Sequence, residues 1–233
     1  MKFNLINQTL DLFYPKYCFV CGEKLFENDF LCEKCKEKIE LTDKNICFIC
    51  GKNEIKNGIC DDCKSKYHFD SVFAALKYNP IIKNLMHNFK YAEFKKLANY
   101  LGAYLVECLL EYPFISQIDY VIPIPLHKVK KRSRGFNQAD LIAEFVANKL
   151  NIKFSSTLIT RKKFTKSQTK LSKEKRKKNV SGAFCVPNPQ ILHGKNILLI
   201  DDVLTTGSTL SAAVSEILKT GANKIFAATL ARA

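Results

Sequence analysis

Two adjacent carboxylates and the small hydroxylated residues that follow them are the part of this sequence best suited to chemistry. The acids are Asp201 and Asp202, and the run after Val203 and Leu204 is Thr205-Thr206-Gly207-Ser208-Thr209. Small residues let backbone N–H groups converge on a phosphate, and their hydroxyl groups add further donors. Neighbouring carboxylates can accept hydrogen bonds from a vicinal diol or help to hold a Mg²⁺ complex. The combination predicts a site that binds a sugar phosphate.

Eight of the ten cysteines form four CxxC pairs, a spacing typical of metal ligation in reduced proteins. Cys18-Phe-Val-Cys21-Gly22 recurs as Cys47-Phe-Ile-Cys50-Gly51, and each copy is followed by a second pair. We therefore predict two tetrahedral zinc sites, the first formed by Cys18, Cys21, Cys32 and Cys35 and the second by Cys47, Cys50, Cys60 and Cys63. An interleaved arrangement, which joins pairs one and three and pairs two and four, stays open. Four thiolates leave no position for a substrate, so the predicted role of zinc is structural.

The overall composition is that of a folded protein. Of 233 residues, 47% are hydrophobic and 25% are charged, which excludes disordered, collagen-like and coiled-coil chains. No apolar run approaches the roughly 18–20 residues that a membrane helix needs. The N-terminal segment carries Asp11 and lacks a small-residue cleavage site, so we expect no secretory signal and a cytoplasmic protein.

The net charge of +15 is concentrated in two stretches. The first contains five cations between Lys128 and Arg134, and the second contains ten between Arg161 and Lys178, with Glu174 as its one acid. Residues 1–67, by contrast, hold 11 cations and 11 acids. The two basic stretches are either solvated loops or contacts to a polyanion, which would be a phosphorylated substrate or a nucleic acid.

The carboxylates and the hydroxylated run must be positioned by a strand and a helix. Four aliphatic residues, Ile197 to Ile200, predict a strand buried on both faces, as in a parallel sheet. Leu210, Ala213, Val214, Ile217 and Leu218 follow at helical spacing, and Gly221 ends that helix before a second strand, Ile225 to Leu230. In such a β-α-β unit, ligands bind at the carboxyl end of the strand.

These residues resemble a known motif. Leu198 to Thr209 is similar to the phosphoribosyl-pyrophosphate (PRPP) motif of type I phosphoribosyltransferases. Tyr120 to His127, Arg134 to Ala139, Thr165 to Phe184 and Ala75 to Tyr91 resemble further patterns of the ComF family, the competence protein F and GntX-like proteins. The resemblance, which includes the CxxC module, runs from about Leu12 to Ala231. It implies an α/β fold with a mostly parallel sheet flanked by helices, behind a small zinc-ribbon-type domain.

The resemblance also implies roles for individual residues. Asp201 and Asp202 would contact the ribose hydroxyls, and Val203 to Thr209 would complete the PRPP site, with the hydroxylated run around the 5′-phosphate. Pro125, Leu126 and His127 would form the pyrophosphate loop, with Arg134 and Lys90 as basic partners. His127 is a candidate phosphate ligand or proton-transfer group, or else a polar loop residue, whereas Asn137 and Gln138 are expected to cap and begin a helix. Arg161 to Asn179 resembles the catalytic loop, in which we single out Thr165, Gln168 and a catalytic Arg176.

We divide the chain into a zinc module, residues 1–67, and a phosphoribosyltransferase-like domain, residues 68–233. The resemblance implies Mg²⁺ with PRPP, a part in handling incoming single-stranded DNA during natural transformation, and competence-machinery proteins as partners. Three hypotheses follow: a phosphoribosyltransferase of unknown acceptor, a DNA-handling accessory factor, and a non-catalytic PRPP sensor organised by its zinc module. The first two are compatible, and together they form our prediction.

Overall fold

The computed structural model describes residues 17–25, 29–55, 58–88, 94–163 and 182–233, without the side chains of Asn88, Phe94, Lys95 and Arg134. The strands are β1 (Ser71–Lys77), β2 (Tyr120–Pro123), β3 (Lys153–Phe154), β4 (Thr160–Arg161), β5 (Phe184–Cys185), β6 (Asn196–Leu204) and β7 (Lys224–Arg232). The helices are α1 (Glu33–Lys36), α2 (Asp61–Tyr67), α3 (Pro80–Asn88), α4 (Phe94–Leu110), α5 (Lys128–Arg134), α6 (Gln138–Leu150) and α7 (Ser208–Leu218), with 3₁₀ turns at Pro113–Gln117 and Pro189–Leu192.

A five-stranded sheet in the order β1-β7-β6-β2-β3 forms the centre of the fold, and all its strand pairs are parallel. The predicted parallel sheet is therefore confirmed. β6 lies between β7 and β2, and its residues Ile197 to Ile200 are fully buried, as expected for a central strand covered on both faces. β6 continues beyond these aliphatic residues because β7 still pairs with it, up to Leu204 opposite Arg232.

Helices flank this sheet. α4 packs against β1 and β7, α6 packs against β2 and β6, and the two helices contact each other, so they lie side by side on one face. α7 begins directly after the hydroxylated run and buries Leu210, Ala213, Val214 and Ile217, as the spacing predicted. Leu218, the fifth residue of that pattern, is 41% exposed because it lies at the end of the helix.

The cysteine-rich segment packs directly against the sheet. Leu41 forms an antiparallel bridge with Leu76 of β1, and the Thr42 N–H donates to the Ala75 carbonyl at 2.9 Å. The buried Phe48 ring, which lies between two cysteines, is 6.4 Å from the Phe73 ring of β1. Both parts of the chain thus contribute to one contiguous apolar core. The division at residues 67 and 68, which falls between α2 and β1, stays a prediction.

Across the described residues, no helix combines the length and the apolar character required to cross a membrane.

Candidate functional site

The two carboxylates lie on the last part of β6, at the carboxyl edge of the sheet. Asp201 Oδ1 accepts a hydrogen bond from the Asp202 N–H at 2.9 Å, and Asp202 Oδ1 accepts one from the Val203 N–H at 2.7 Å. Burial, together with the neighbouring charge of Asp202, raises the pKa of Asp201 well above its ordinary value. Hydroxyl donors or a cation beside the pair would favour its ionised form and offset that cost.

The hydroxylated run Thr205–Thr209, which we call the phosphate loop, connects β6 to α7. Gly207 is the N-cap of α7 and has φ +70°, a left-handed conformation that favours glycine. The Thr206 and Ser208 hydroxyl oxygens are 2.7 Å apart, and the Ser208 N–H donates to Thr206 Oγ1 at 3.4 Å. The loop therefore presents clustered hydroxyl groups at the positive end of a helix of 11 residues, an arrangement that suits a phosphate.

A second loop, Ile124 to His127, leaves β2 beside the carboxylates. The Ile124 N–H donates to the Ile200 carbonyl at 2.8 Å, so this loop follows β6 up to the residue before Asp201. On the other side, Nδ2 of the buried Asn137 donates to the Ile124 carbonyl at 3.0 Å. Pro125 and Leu126 are half-buried. The predicted pyrophosphate loop is thus held between β6 and the start of α6, on the same edge of the sheet as the phosphate loop.

Eight cysteine sulfurs form two groups in the predicted module. Within each group, the Sγ atoms all lie within 4.8 Å of one another. The two groups are those of the sequential assignment, Cys18, Cys21, Cys32 and Cys35, then Cys47, Cys50, Cys60 and Cys63, and not those of the interleaved one.

The sulfur geometry fits zinc. The Cys21 and Cys32 sulfurs are 3.6 Å apart, and the Cys50 and Cys60 sulfurs are 3.7 Å apart. Zn–S bonds of about 2.3 Å in a tetrahedron place sulfurs about 3.8 Å apart. Burial opposes ionisation of Cys18, but hydrogen bonds from the backbone of Cys21, Cys32 and Val20 outweigh it and hold its pKa at about 6. The same balance holds the pKa of Cys47 at about 7. Burial and the neighbouring cysteine side chains instead raise the pKa of Cys35 and Cys63, so zinc would displace protons from those thiols as it binds.

Comparison with known families agrees with both parts of this geometry. Residues 9–64 match the double zinc ribbon domain, and residues 138–233 match the phosphoribosyl transferase domain. The chain combines a double zinc ribbon with a phosphoribosyl transferase domain. The fold class predicted from the sequence is thereby confirmed.

Several relatives are similar to this chain over most of their length. The DNA utilization protein YhgH of Escherichia coli O6:H1 is 28% identical over 214 residues, which cover 89% of this chain and 93% of the relative. Competence protein F of Haemophilus influenzae is 26% identical, covering 88% of this chain and 98% of its own. Competence protein ComFC of Bacillus subtilis is 28% identical, covering 82% and 79%. The resemblance to the competence protein F family is confirmed.

Most of the predicted site residues of the phosphoribosyl transferase domain lie at one edge of the sheet. The Leu204 side chain is buried in the core, and its carbonyl accepts the Ala233 N–H at 2.9 Å. His127 is the N-cap of α5, and its Nδ1 accepts the Val129 N–H at 3.3 Å, so one ring nitrogen is used in capping. Four other predicted residues, Lys90, Thr165, Gln168 and Arg176, lie outside the described residues, as does the side chain of Arg134.

The sequence did not single out Arg161 as a residue of the site. It lies on β4, which pairs antiparallel with β5, and the two strands flank residues 164–181. Its guanidinium carbon is 5.3 Å from the centre of the Phe184 ring. Burial lowers the pKa of Arg161, and the charge of Asp201 partly offsets that effect, which places this cation within electrostatic range of the carboxylates. In the sequence, Arg161 is the first of ten cations in one stretch, and only its place after Thr157 to Thr160 distinguishes it.

Proposed function

We propose that this protein binds PRPP and acts in the cytoplasm in the uptake or processing of single-stranded DNA, with Mg²⁺-dependent phosphoribosyl transfer to an acceptor. The observation that carries the proposal is the placement of a carboxylate pair directly before a hydroxylated helix N-terminus, at the carboxyl edge of a parallel sheet. That edge is where open α/β sheets bind ligands. The match of residues 138–233 to the phosphoribosyl transferase domain supports it.

Each element would contact one part of PRPP. The phosphate loop would hold the 5′-phosphate through hydroxyl and backbone N–H groups. Asp201 and Asp202 would accept hydrogen bonds from the ribose hydroxyls and thereby orient the sugar ring. The loop Pro125–His127, with Arg134 and Lys90 as predicted cations, would bind the pyrophosphate.

The carboxylates also suit a transfer step. When pyrophosphate leaves the sugar, positive charge develops on the ring, and preorganised carboxylates beside the ring favour that transition state. The oxygen donors of Asp201 and Asp202 fit Mg²⁺, which when bound with PRPP would neutralise part of the pyrophosphate charge. We assign the predicted Arg176 to the same step, as a cation for the leaving group.

A part in DNA uptake is supported by the relatives and by the charge. The relatives are named DNA utilization protein and competence protein. α5 exposes Lys128, Lys131 and Arg132 just after the pyrophosphate loop, although Lys131 also pairs with Asp140 at 2.9 Å. A basic helix at the site could bind the phosphates of a strand, and competence-machinery proteins would then be the partners that deliver it.

The test of PRPP binding is calorimetry with Mg²⁺ present, on the wild type and on Asp202→Asn. We expect the variant to bind at least about tenfold more weakly, because a charge-assisted hydrogen bond contributes roughly 1.5–3 kcal/mol. Ser215→Ala, a change at an exposed residue of α7, serves as the matched control and should bind as the wild type does. Absence of binding by the wild type would contradict the proposal.

Catalysis and DNA binding need separate measurements. Pyrophosphate release from PRPP, dependent on an added nucleobase, amine or oligonucleotide and lost in Asp202→Asn, is expected of a transferase. PRPP binding with no release under any of these conditions would favour the alternative, a non-catalytic sensor. Affinity for a single-stranded oligonucleotide should fall steeply with salt as phosphate contacts release counterions, and an affinity that ignores salt would contradict the DNA-binding part.

A further inference from the structure

The second zinc ribbon, which comprises Cys47 to Gly51 and Cys60 to Tyr67, lies directly against the phosphate loop. A Cβ atom placed on Gly207 would lie 2.9 Å from Ile49 Cδ1 and 3.8 Å from Tyr67 Cε1. Ile49 lies between the ligands Cys47 and Cys50, and Tyr67 ends the helix that carries Cys63. Ile49 and Tyr67, one from each half of the four-cysteine group, therefore border the N-cap of α7.

Arg232 connects the same ribbon to the strand that leads into the phosphate loop. Its Nε donates to the Phe48 carbonyl at 2.7 Å, between Cys47 and Cys50. In the sheet, Arg232 is the register partner of Leu204, the residue directly before the loop. The neighbouring Ala233 N–H donates to the Leu204 carbonyl at 2.9 Å. A shift of the ribbon would therefore displace Arg232, the strand partner of Leu204 directly before the loop.

A shared zinc ion would join the two CxxC pairs of this ribbon. Within the Cys47–Gly51 turn, the Gly51 N–H donates to the Cys47 carbonyl at 2.8 Å, and the Phe48 N–H donates to the Gly58 carbonyl at 2.8 Å. The backbone of Cys60 also hydrogen-bonds to the Cys47 sulfur, and a shared zinc ion would hold all four sulfurs of the two pairs together. Gly207 is bordered by both halves of the ribbon and Arg232 is bonded to the first half, so loss of the zinc that joins the halves would disturb both positions.

We propose that the second zinc ribbon positions the phosphate loop, so that zinc at its four cysteines and a sugar phosphate at Thr205–Thr209 bind with positive cooperativity. The inference rests on the proposed function and adds to it a reciprocal coupling. If the ribbon supports the loop, zinc raises the affinity for PRPP, and PRPP must raise the affinity for zinc by the same factor. The first ribbon provides a contrast, because its Phe30 ring lies 5.5 Å from Tyr100 on α4.

The experiment compares Cys50→Ser with Cys21→Ser. Cys50 and Cys21 are both exposed, and each is the second cysteine in the first CxxC pair of its ribbon, so the two substitutions are chemically matched. Zinc content is measured first, and PRPP affinity is then measured by calorimetry with Mg²⁺. We expect Cys50→Ser to weaken PRPP binding at least about fivefold, within the usual range of coupling between sites, and Cys21→Ser to change it less than about twofold.

Two further measurements do not depend on how well the cysteine variants fold. Ile49→Ala keeps all eight cysteines and should retain both zinc ions, yet weaken PRPP binding about threefold or more. In the wild type, PRPP with Mg²⁺ should slow the release of one of the two zinc equivalents to a zinc-selective colorimetric chelator, and Ile49→Ala should reduce that protection.

The outcomes separate this inference from the function on which it rests. A wild type that binds no PRPP refutes both. A wild type that binds PRPP, with Ile49→Ala equally tight and zinc release unaffected, refutes the coupling and leaves the proposed function standing. Tighter PRPP binding by Ile49→Ala also refutes the coupling, since the ribbon would then obstruct the loop and not support it.

Discussion

Gly58 is the position at which a single methyl group should separate the second zinc ribbon from the sheet. Its φ is +69°, and a Cβ placed on it would lie 1.9 Å from the Val72 carbonyl oxygen of β1 and 2.5 Å from Cδ2 of Phe48. The nearer atom belongs to the backbone of a strand paired with β7, so it cannot rotate away. Gly58→Ala must therefore move the ribbon relative to β1.

The expected cost of Gly58→Ala has three parts. A left-handed conformation at a residue with a Cβ costs about 1–2 kcal/mol. Moving Gly58 away from β1 weakens the hydrogen bond from the Phe48 N–H to the Gly58 carbonyl, and the net contribution of such a bond to stability is about 1 kcal/mol. Overpacking against Phe48 and the strand adds about 1–3 kcal/mol. Together they give roughly 3–6 kcal/mol of lost stability, before the gain of up to about 1 kcal/mol from a less flexible unfolded chain.

Gly135→Ala is the matched control. Gly135 has φ +80°, but among the described residues, its two chain neighbours aside, no heavy atom lies within 4 Å of the position of its missing Cβ, so the substitution carries the conformational cost alone. At about 2–4 °C per kcal/mol for a chain of this size, thermal unfolding with saturating zinc should show a midpoint lowered by up to about 8 °C for Gly135→Ala. For Gly58→Ala the two additional costs, together about 2–4 kcal/mol, should lower the midpoint by about 4–16 °C more than Gly135→Ala does. Equal shifts in the two variants would refute the reasoning, since they would mean that the ribbon does not press on β1 at this point.

Two other substitutions test the site. Asp201→Asn should lose PRPP affinity and yet unfold at a higher temperature than the wild type at pH 7–8. The pKa of the Asp201 carboxyl is raised in the folded protein. Its contribution to stability is therefore present below the pKa of the unfolded chain and is lost as the pH rises through the pKa of the folded protein. The uncharged amide of the variant keeps an acceptor for the Asp202 N–H. When thermal unfolding is measured against pH, the difference in unfolding temperature between variant and wild type should shrink in acid. A variant that is less stable at every pH would contradict a raised pKa of Asp201. Asn137→Ala removes the donor to the Ile124 carbonyl, so we expect a loss of about 1–3 kcal/mol in urea unfolding and weaker PRPP binding. Asn148→Ala, at an exposed position of α6, is its control. Equal stability of the Asn137→Ala and Asn148→Ala variants would contradict a structural role for the Ile124 contact.

Local patterns were sufficient to predict the elements of the PRPP motif. The aliphatic run Ile197 to Ile200, the hydroxylated residues after it and the helical spacing from Leu210 to Ile217 are all contained within about 20 consecutive residues. A run of aliphatic residues and a helical period both depend on neighbours along the chain, so the order strand, loop and helix could be predicted from the sequence alone. The same holds for the four CxxC pairs, where the spacing of the two thiols is itself the signal.

The arrangement of these elements was decided only by the tertiary structure. Three interactions show this: Leu41 and Thr42 pair with β1, Arg232 donates to the Phe48 carbonyl, and Arg161 lies within electrostatic range of Asp201. The residues that these interactions join are 33 to 184 positions apart in the chain. No periodic pattern relates such distant residues, because each contact exists only after the sheet has ordered its strands as β1-β7-β6-β2-β3. The sequence therefore determined which groups could bind a sugar phosphate and zinc, and long-range packing determined that the two sites touch.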